Sequence, residues 1–100
     1  MCPRGHKISH MSHKSQIEAY YESLKNKQIA KNEDYGDSAF EDVTVAGVKI
    51  PALHACLSRM SDKLKRLQSQ DLMVDESFED TLDDLVGYIV IYKILKAKQQ

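Results

Sequence analysis

Leu53, Leu57, Met60, Leu64 and Leu67 recur at alternating steps of four and three residues, which is the repeat of one face of an α-helix. A similar stripe precedes it, in Ile17, Tyr20, Tyr21, Leu24 and Gln28/Ile29, and another follows, in Phe78, Leu82, Leu85, Ile89 and Tyr92. The stripes predict three helices, over 14–32, from Pro51 to about 68–71, and from about Asp75 to Lys98. Pro51 suits a first helical position because the N–H it lacks has no partner there. With 100 residues in all, the chain is expected to form one all-α domain over 12–100, a small antiparallel bundle of three to four helices.

The segment from about 33 to 50 breaks the periodicity, and Gly36 just past the first stripe marks a helix stop. Val43, Val45 and Val48 suit a short extended piece, but Gly47 and the small residues around it favour a loop. Phe40 and the valines call for burial, so the loop is expected to be ordered, with room for a short fourth helix. Residues 1–11, MCPRGHKISHM, hold two of the four histidines without apolar periodicity. They resemble a tag or cloning remnant, or a disordered leader, ahead of a start at Met11. A His-rich metal arm is the alternative.

The net charge is −1, which argues against general nucleic-acid binding. No run of about 18 apolar residues offers a membrane span. Cys2 and Cys56 are too few for a disulfide framework, and Cys56 falls on a predicted buried face. A reduced, cytoplasmic setting is expected.

Two polar rows stand out. Glu76, Asp80 and Asp84 stack four apart on the third helix, with Asp83 one step aside, and the same face continues as Tyr88, Ile91 and Leu95. The later half, VGYIVIYKIL, is apolar almost all round, so the acidic row runs from the outside toward the interior. Acids favour helix N-termini, which explains Asp75, Glu76 and Glu79 but not Asp83 and Asp84. Two partners would offset their repulsion. One is a hard cation such as Mg²⁺, held by Glu76, Asp80 and Asp84. The other is the second helix's row of Arg59, Lys63 and Arg66, with Asp62 among them. If helices two and three pack antiparallel, the rows face each other and either cancel or hold phosphate between them.

KNEDYGDS, RMSDKLKRL and DESFEDTLDDLVGY together resemble, in order, the three signature blocks of the nucleotide-modification-associated domain family, small helical proteins found largely in phage genomes. The third block is also similar to the closing motif of the MazG-like, all-α nucleoside triphosphate pyrophosphatases, where an acidic pair and a tyrosine help bind Mg²⁺; Asp80, Asp84 and Tyr88 fall on those positions. The resemblance implies nucleotide handling. It makes Lys31, Asn32, Asp34, Tyr35 and Gly36 candidates for gripping a nucleotide, with Tyr35 stacking on the base and Lys31 on a phosphate. Gly36 would allow close backbone approach or a positive φ. The same residues also read as an ordinary helix end. The chain offers only Asp62 where those pyrophosphatases carry a Glu-x-x-Glu pair.

Two functions follow as expectations. The first is a Mg²⁺-dependent nucleoside triphosphate pyrophosphohydrolase. There Asp62, Glu76, Asp80 and Asp84 would serve the metal and the attacking water, and Arg59, Lys63, Arg66 and Tyr88 would meet the nucleotide. The second is a non-enzymatic binder that sequesters a nucleotide or cyclic nucleotide signal, as a phage protein countering bacterial immunity would. A homodimer or homotetramer is expected to complete so small a site. A purely structural protein with internally paired rows is the remaining reading. His54 is expected to be a partly buried structural residue.

Overall fold

Ser12 opens the first helix by accepting a hydrogen bond from the Ser15 N–H at 3.2 Å on its Oγ, which satisfies one of the orphan donors of a helix start. In the computed structural model, which describes residues 11–71 and 77–99, this helix, α1, spans His13–Tyr35. It runs through Lys31, Asn32, Asp34 and Tyr35, which the sequence placed at a helix end and in a loop. The stop is Gly36 itself: φ 59° and ψ 45° put it in the left-handed region, and its N–H bonds the Asn32 carbonyl. The backbone leaves the helical region at that glycine and not before it, so the polar residues ahead of it stay helical. The chain divides into two compact units, with the boundary between Gly36 and Asp37.

In the second unit a single turn of tighter 3₁₀ helix, Ser38–Phe40, comes first. The segment expected to be loop then forms an antiparallel hairpin, with β1 at Val43–Val45, β2 at Val48–Ile50, and Val43 opposite Ile50. Ala46 and Gly47 link the strands with φ 52° and 79°. Two positive φ values mark the primed two-residue turn, whose twist matches that of paired strands. Gly47 therefore makes the hairpin rather than breaking it. One face of the hairpin is wholly apolar (Val43, Val45, Val48 and Ile50), and its outer end, Val45 and Val48, is exposed.

Helix α2, Ala52–Ser69, begins one residue later than expected, with Pro51 as its extended cap residue. Pro51 has no side-chain acceptor. Asp42, just before the hairpin, supplies one: its Oδ1 accepts the Ala52 N–H at 2.8 Å, and its Oδ2 lies 3.3 Å from Lys49 Nζ. The backbone hydrogen bond first, and Lys49 second, hold the Asp42 carboxyl below its ordinary range.

Helix α3, Ser77–Lys98, packs along α2. The expected cap at Asp75 lies outside the described residues. The core is Ala52, Cys56, Ile91 and Leu95, with Ala39, Phe40, Leu53, Met60, Tyr88 and Tyr92 packed against it. The leucine stripe of α2 is thus only partly the core face. Leu57 and Leu64 keep 44% and 50% of their surface exposed, and Ile89 of the α3 stripe is exposed as well. Helix α3 instead covers the adjacent edge, through Ala52, Cys56 and Lys63. Lys98 closes the far end of the unit, its Nζ 5.3 Å from the centre of the Phe40 ring. Among the described residues no helix is long and apolar enough to cross a membrane.

Two outcomes test this account. Ala46→Asn should raise stability by about 0.5–1 kcal/mol in urea unfolding, because Asn-Gly is the favoured pair for this turn and relieves alanine's left-handed cost. Asp42→Ala should lower the melting temperature at neutral pH. A depressed carboxyl contributes stability above its unfolded pKa and loses it as the pH falls through the folded one. The gap between variant and parent should therefore narrow below about pH 4, the ordinary Asp value, in parallel melts.

Candidate functional site

Helices α2 and α3 run antiparallel, and a ladder of contacts fixes their register. Near the connection Gln70 Nε2 donates to Ser77 Oγ. Midway, Lys63 Nζ lies 3.3 Å from Asp84 Oδ2. One level further, the Cys56 thiol donates to the Tyr88 carbonyl at 3.3 Å. Beyond that the seam is the apolar core of Ala52, Ile91 and Leu95. The seam thus changes from polar to apolar along its length, as the acidic row running toward the interior implied.

The Lys63–Asp84 pair is the electrostatic centre. Its side chains are only 16% and 23% exposed, so the charges are partly removed from water and screened less than a surface pair. Desolvation offsets much of the attraction. The pair consequently fixes register more than it adds stability. Cys56, beneath it, is buried; burial pushes its thiol up, against a smaller opposite pull from Arg59. The thiol stays protonated at neutral pH, as its hydrogen bond to Tyr88 requires.

Arg59 sits one turn before Lys63 and is exposed. With Ser38, Glu41, Cys56 and Tyr88 it borders a dent of about 10 Å³, room for a single water. Arg66, one turn beyond Lys63, is also exposed. Asp62 is exposed too, about 100° round the helix from Lys63. On α3, Asp80 lies in the first turn, where the helix dipole favours an acid, because the helix starts at Ser77. Asp83 and Asp84 are partly buried. Glu76 lies outside the described residues.

Among the described residues no three His, Cys, Asp or Glu side chains gather as a metal set. Asp84, the expected centre of a Mg²⁺ site, already has the Lys63 ammonium on its carboxylate. A hard cation there would have to displace that ammonium. Of the expected acidic set, Asp84 is thus engaged by Lys63, Asp80 is exposed at the start of α3, and Glu76 lies outside the described residues.

In the other unit, Lys31 and Tyr35 stand one turn apart on the last turns of α1, both exposed, with Asn32 partly buried and Asp34 exposed. His54, expected to be partly buried, is exposed on α2. Ser38 and Glu41 escaped the sequence reading. The signal for them was positional, since they flank Phe40, whose burial brings both to the α2–α3 seam. Comparison of the chain with family models, with curated proteins and with solved structures gave no match.

Lys63→Met should cost about 1–2 kcal/mol, because Asp84 loses its ammonium in a partly buried place. Lys63→Met combined with Asp84→Leu should recover most of the loss. A double-mutant cycle in urea should return a coupling of about 1 kcal/mol; additive losses would contradict the seam described.

Proposed function

We propose that this chain binds a nucleotide through its phosphates, at the level of α2 and α3 where Arg59 stands beside Tyr88, and holds it without hydrolysing it. The observation that carries this reading is the Lys63–Asp84 pair. It turns the cationic row of α2 toward α3 and brings Arg59 to the Tyr88 level. An exposed guanidinium offers phosphate a two-pronged donor set, and a tyrosine next to it offers a base or ribose an apolar edge. The dent between them is only water-sized, so the ligand lies over the seam rather than inside it. Lys31 and Tyr35 make a separate ammonium and aromatic pair suited to the same ligand class. The resemblance of the three sequence blocks to a nucleotide-modification family supports the choice of nucleotide.

Binding is favoured over Mg²⁺-dependent pyrophosphohydrolysis because Asp84 is already balanced by Lys63. A site that neutralises its acid with an ammonium leaves the neighbouring arginines for the ligand's charge. Sequestration of a nucleotide or cyclic nucleotide signal fits such a site.

The test is a thermal-shift panel of nucleoside triphosphates and cyclic dinucleotides, with and without Mg²⁺, followed by chromatography of the recovered ligand. One class should raise the melting temperature without added metal and come back intact. A ligand at about 100 times its Kd should add about 2.7 kcal/mol. Arg59→Ala should weaken binding about tenfold or more, the loss of a charged hydrogen-bond donor, while leaving the unliganded melt unchanged. Released pyrophosphate that depends on Mg²⁺ would establish the hydrolase instead. No stabilisation by any member would remove the nucleotide reading.

A further inference from the structure

Helix α1 leaves several apolar side chains exposed. Ile17 and Tyr21 are 56% and 70% exposed, and with Leu24 and Gln28 they step along the helix by four, three and four. That step is the seam of a two-helix coil, in which each side chain inserts between those of the facing helix. Gln16, Ile17, Tyr20, Tyr21 and Leu24 border an open apolar hollow of about 270 Å³ on this face, large enough to receive a side chain from another helix. A helix of 23 residues gains little stability from its backbone alone, so such a stripe calls for a cover.

The charges beside the stripe identify that cover. Glu18 and Lys25 lie along one edge of it, seven residues apart and opposite in sign, while Tyr20 and Lys27 lie along the other. In an antiparallel pair each edge meets the same edge of its neighbour. We propose that two copies of this chain pair antiparallel through α1, with Tyr21 opposite Leu24 of the partner subunit and Ile17 opposite Gln28 of the partner subunit. Glu18 then faces Lys25 of the partner subunit, and the two-fold axis repeats the contact, giving two ion pairs. On the other edge Tyr20 meets Lys27 of the partner subunit, a cation against an aromatic face. A parallel pair sets Tyr20 against Lys25, Lys27 against Asn32 and His13 against Glu18, and gains no lysine–carboxylate pair. Within its own helix Lys25 lies 3.0 Å from Glu22, with both side chains more than half exposed. An exposed pair of that kind contributes little and leaves Lys25 able to turn to a neighbour. This inference does not rest on the nucleotide reading, since it concerns the ligand-free chain.

The experiment is sedimentation equilibrium of the full chain at about micromolar concentration, without ligand, with circular dichroism to confirm that each variant is folded. The parent chain should have twice the protomer mass or an even multiple of it. Glu18→Lys and Lys25→Glu, each alone, turn both ion pairs into like-charge contacts and should weaken association about tenfold or more. The two changes together exchange the charges and should restore the parent's association. Tyr21→Glu should dissociate the pair, with any loss of helical content limited to that of α1. A monomeric parent, single reversals that leave the mass unmoved, or a double variant no better than the singles would each overturn the proposal.

Discussion

The contact of the Lys63 ammonium with the Asp84 carboxylate is the interaction around which the second unit is arranged. Two amphipathic helices can slide by a turn and still bury apolar surface, because leucine-like side chains are largely interchangeable at that resolution. Sliding one way by a turn would strand the Lys63 ammonium beside Tyr88, while sliding the other way would bring it to Asp80 but take Cys56 from the Tyr88 carbonyl and Gln70 from Ser77. With this pair in place, Cys56 reaches the Tyr88 carbonyl, Gln70 reaches Ser77, and the apolar ends of both helices come together as the core. Specificity of register, rather than depth of burial, is what the pair supplies together with the two hydrogen bonds on either side of it.

The same arrangement separates the work of the two helices. The core-facing end near Ala52, Ile91 and Leu95 holds the unit together, and the polar end is left for electrostatics. Arg59 and Tyr88 lie at the crossover, where a rigid apolar floor supports exposed polar groups. The proposed contact with a charged ligand is placed there because the Arg59 guanidinium is exposed beside the partly buried Tyr88.

The sequence made the α2–α3 seam largely legible. The acidic row leading into Tyr88, Ile91 and Leu95 marks a face that enters the interior, and that is the face α3 presents. Cys56 was likewise legible as buried. Less legible was which edge of the broad leucine stripe would be covered: periodicity sets the direction of a face within the width of about one side chain, and α3 chose the edge carrying Ala52 and Lys63 over the one carrying Leu57 and Leu64. The hairpin was missed because alanine at positive φ is rare, so Ala46-Gly47 does not announce a primed turn as Asn-Gly would. Asp42 was missed because its partner is across the hairpin, and no local capping pattern reveals a side chain that caps from ten residues away. The candidate residues at the end of α1 read as loop in the sequence because a polar run before a glycine looks like the end of a helix, whereas the backbone stops only at the glycine.

That contact from Asp42 has a consequence for how the chain finds its fold. Starting a helix is the slow, unfavourable step, because several residues must be ordered before the first hydrogen bond forms. Closing a segment as short as that between Asp42 and Ala52 takes well under a microsecond, and the hairpin holds it closed for longer. Once the strands meet, the carboxylate is delivered to the first turn of α2 ready-made. The hairpin thus holds a ready-made acceptor against the first turn of α2, which couples strand pairing to the start of that helix.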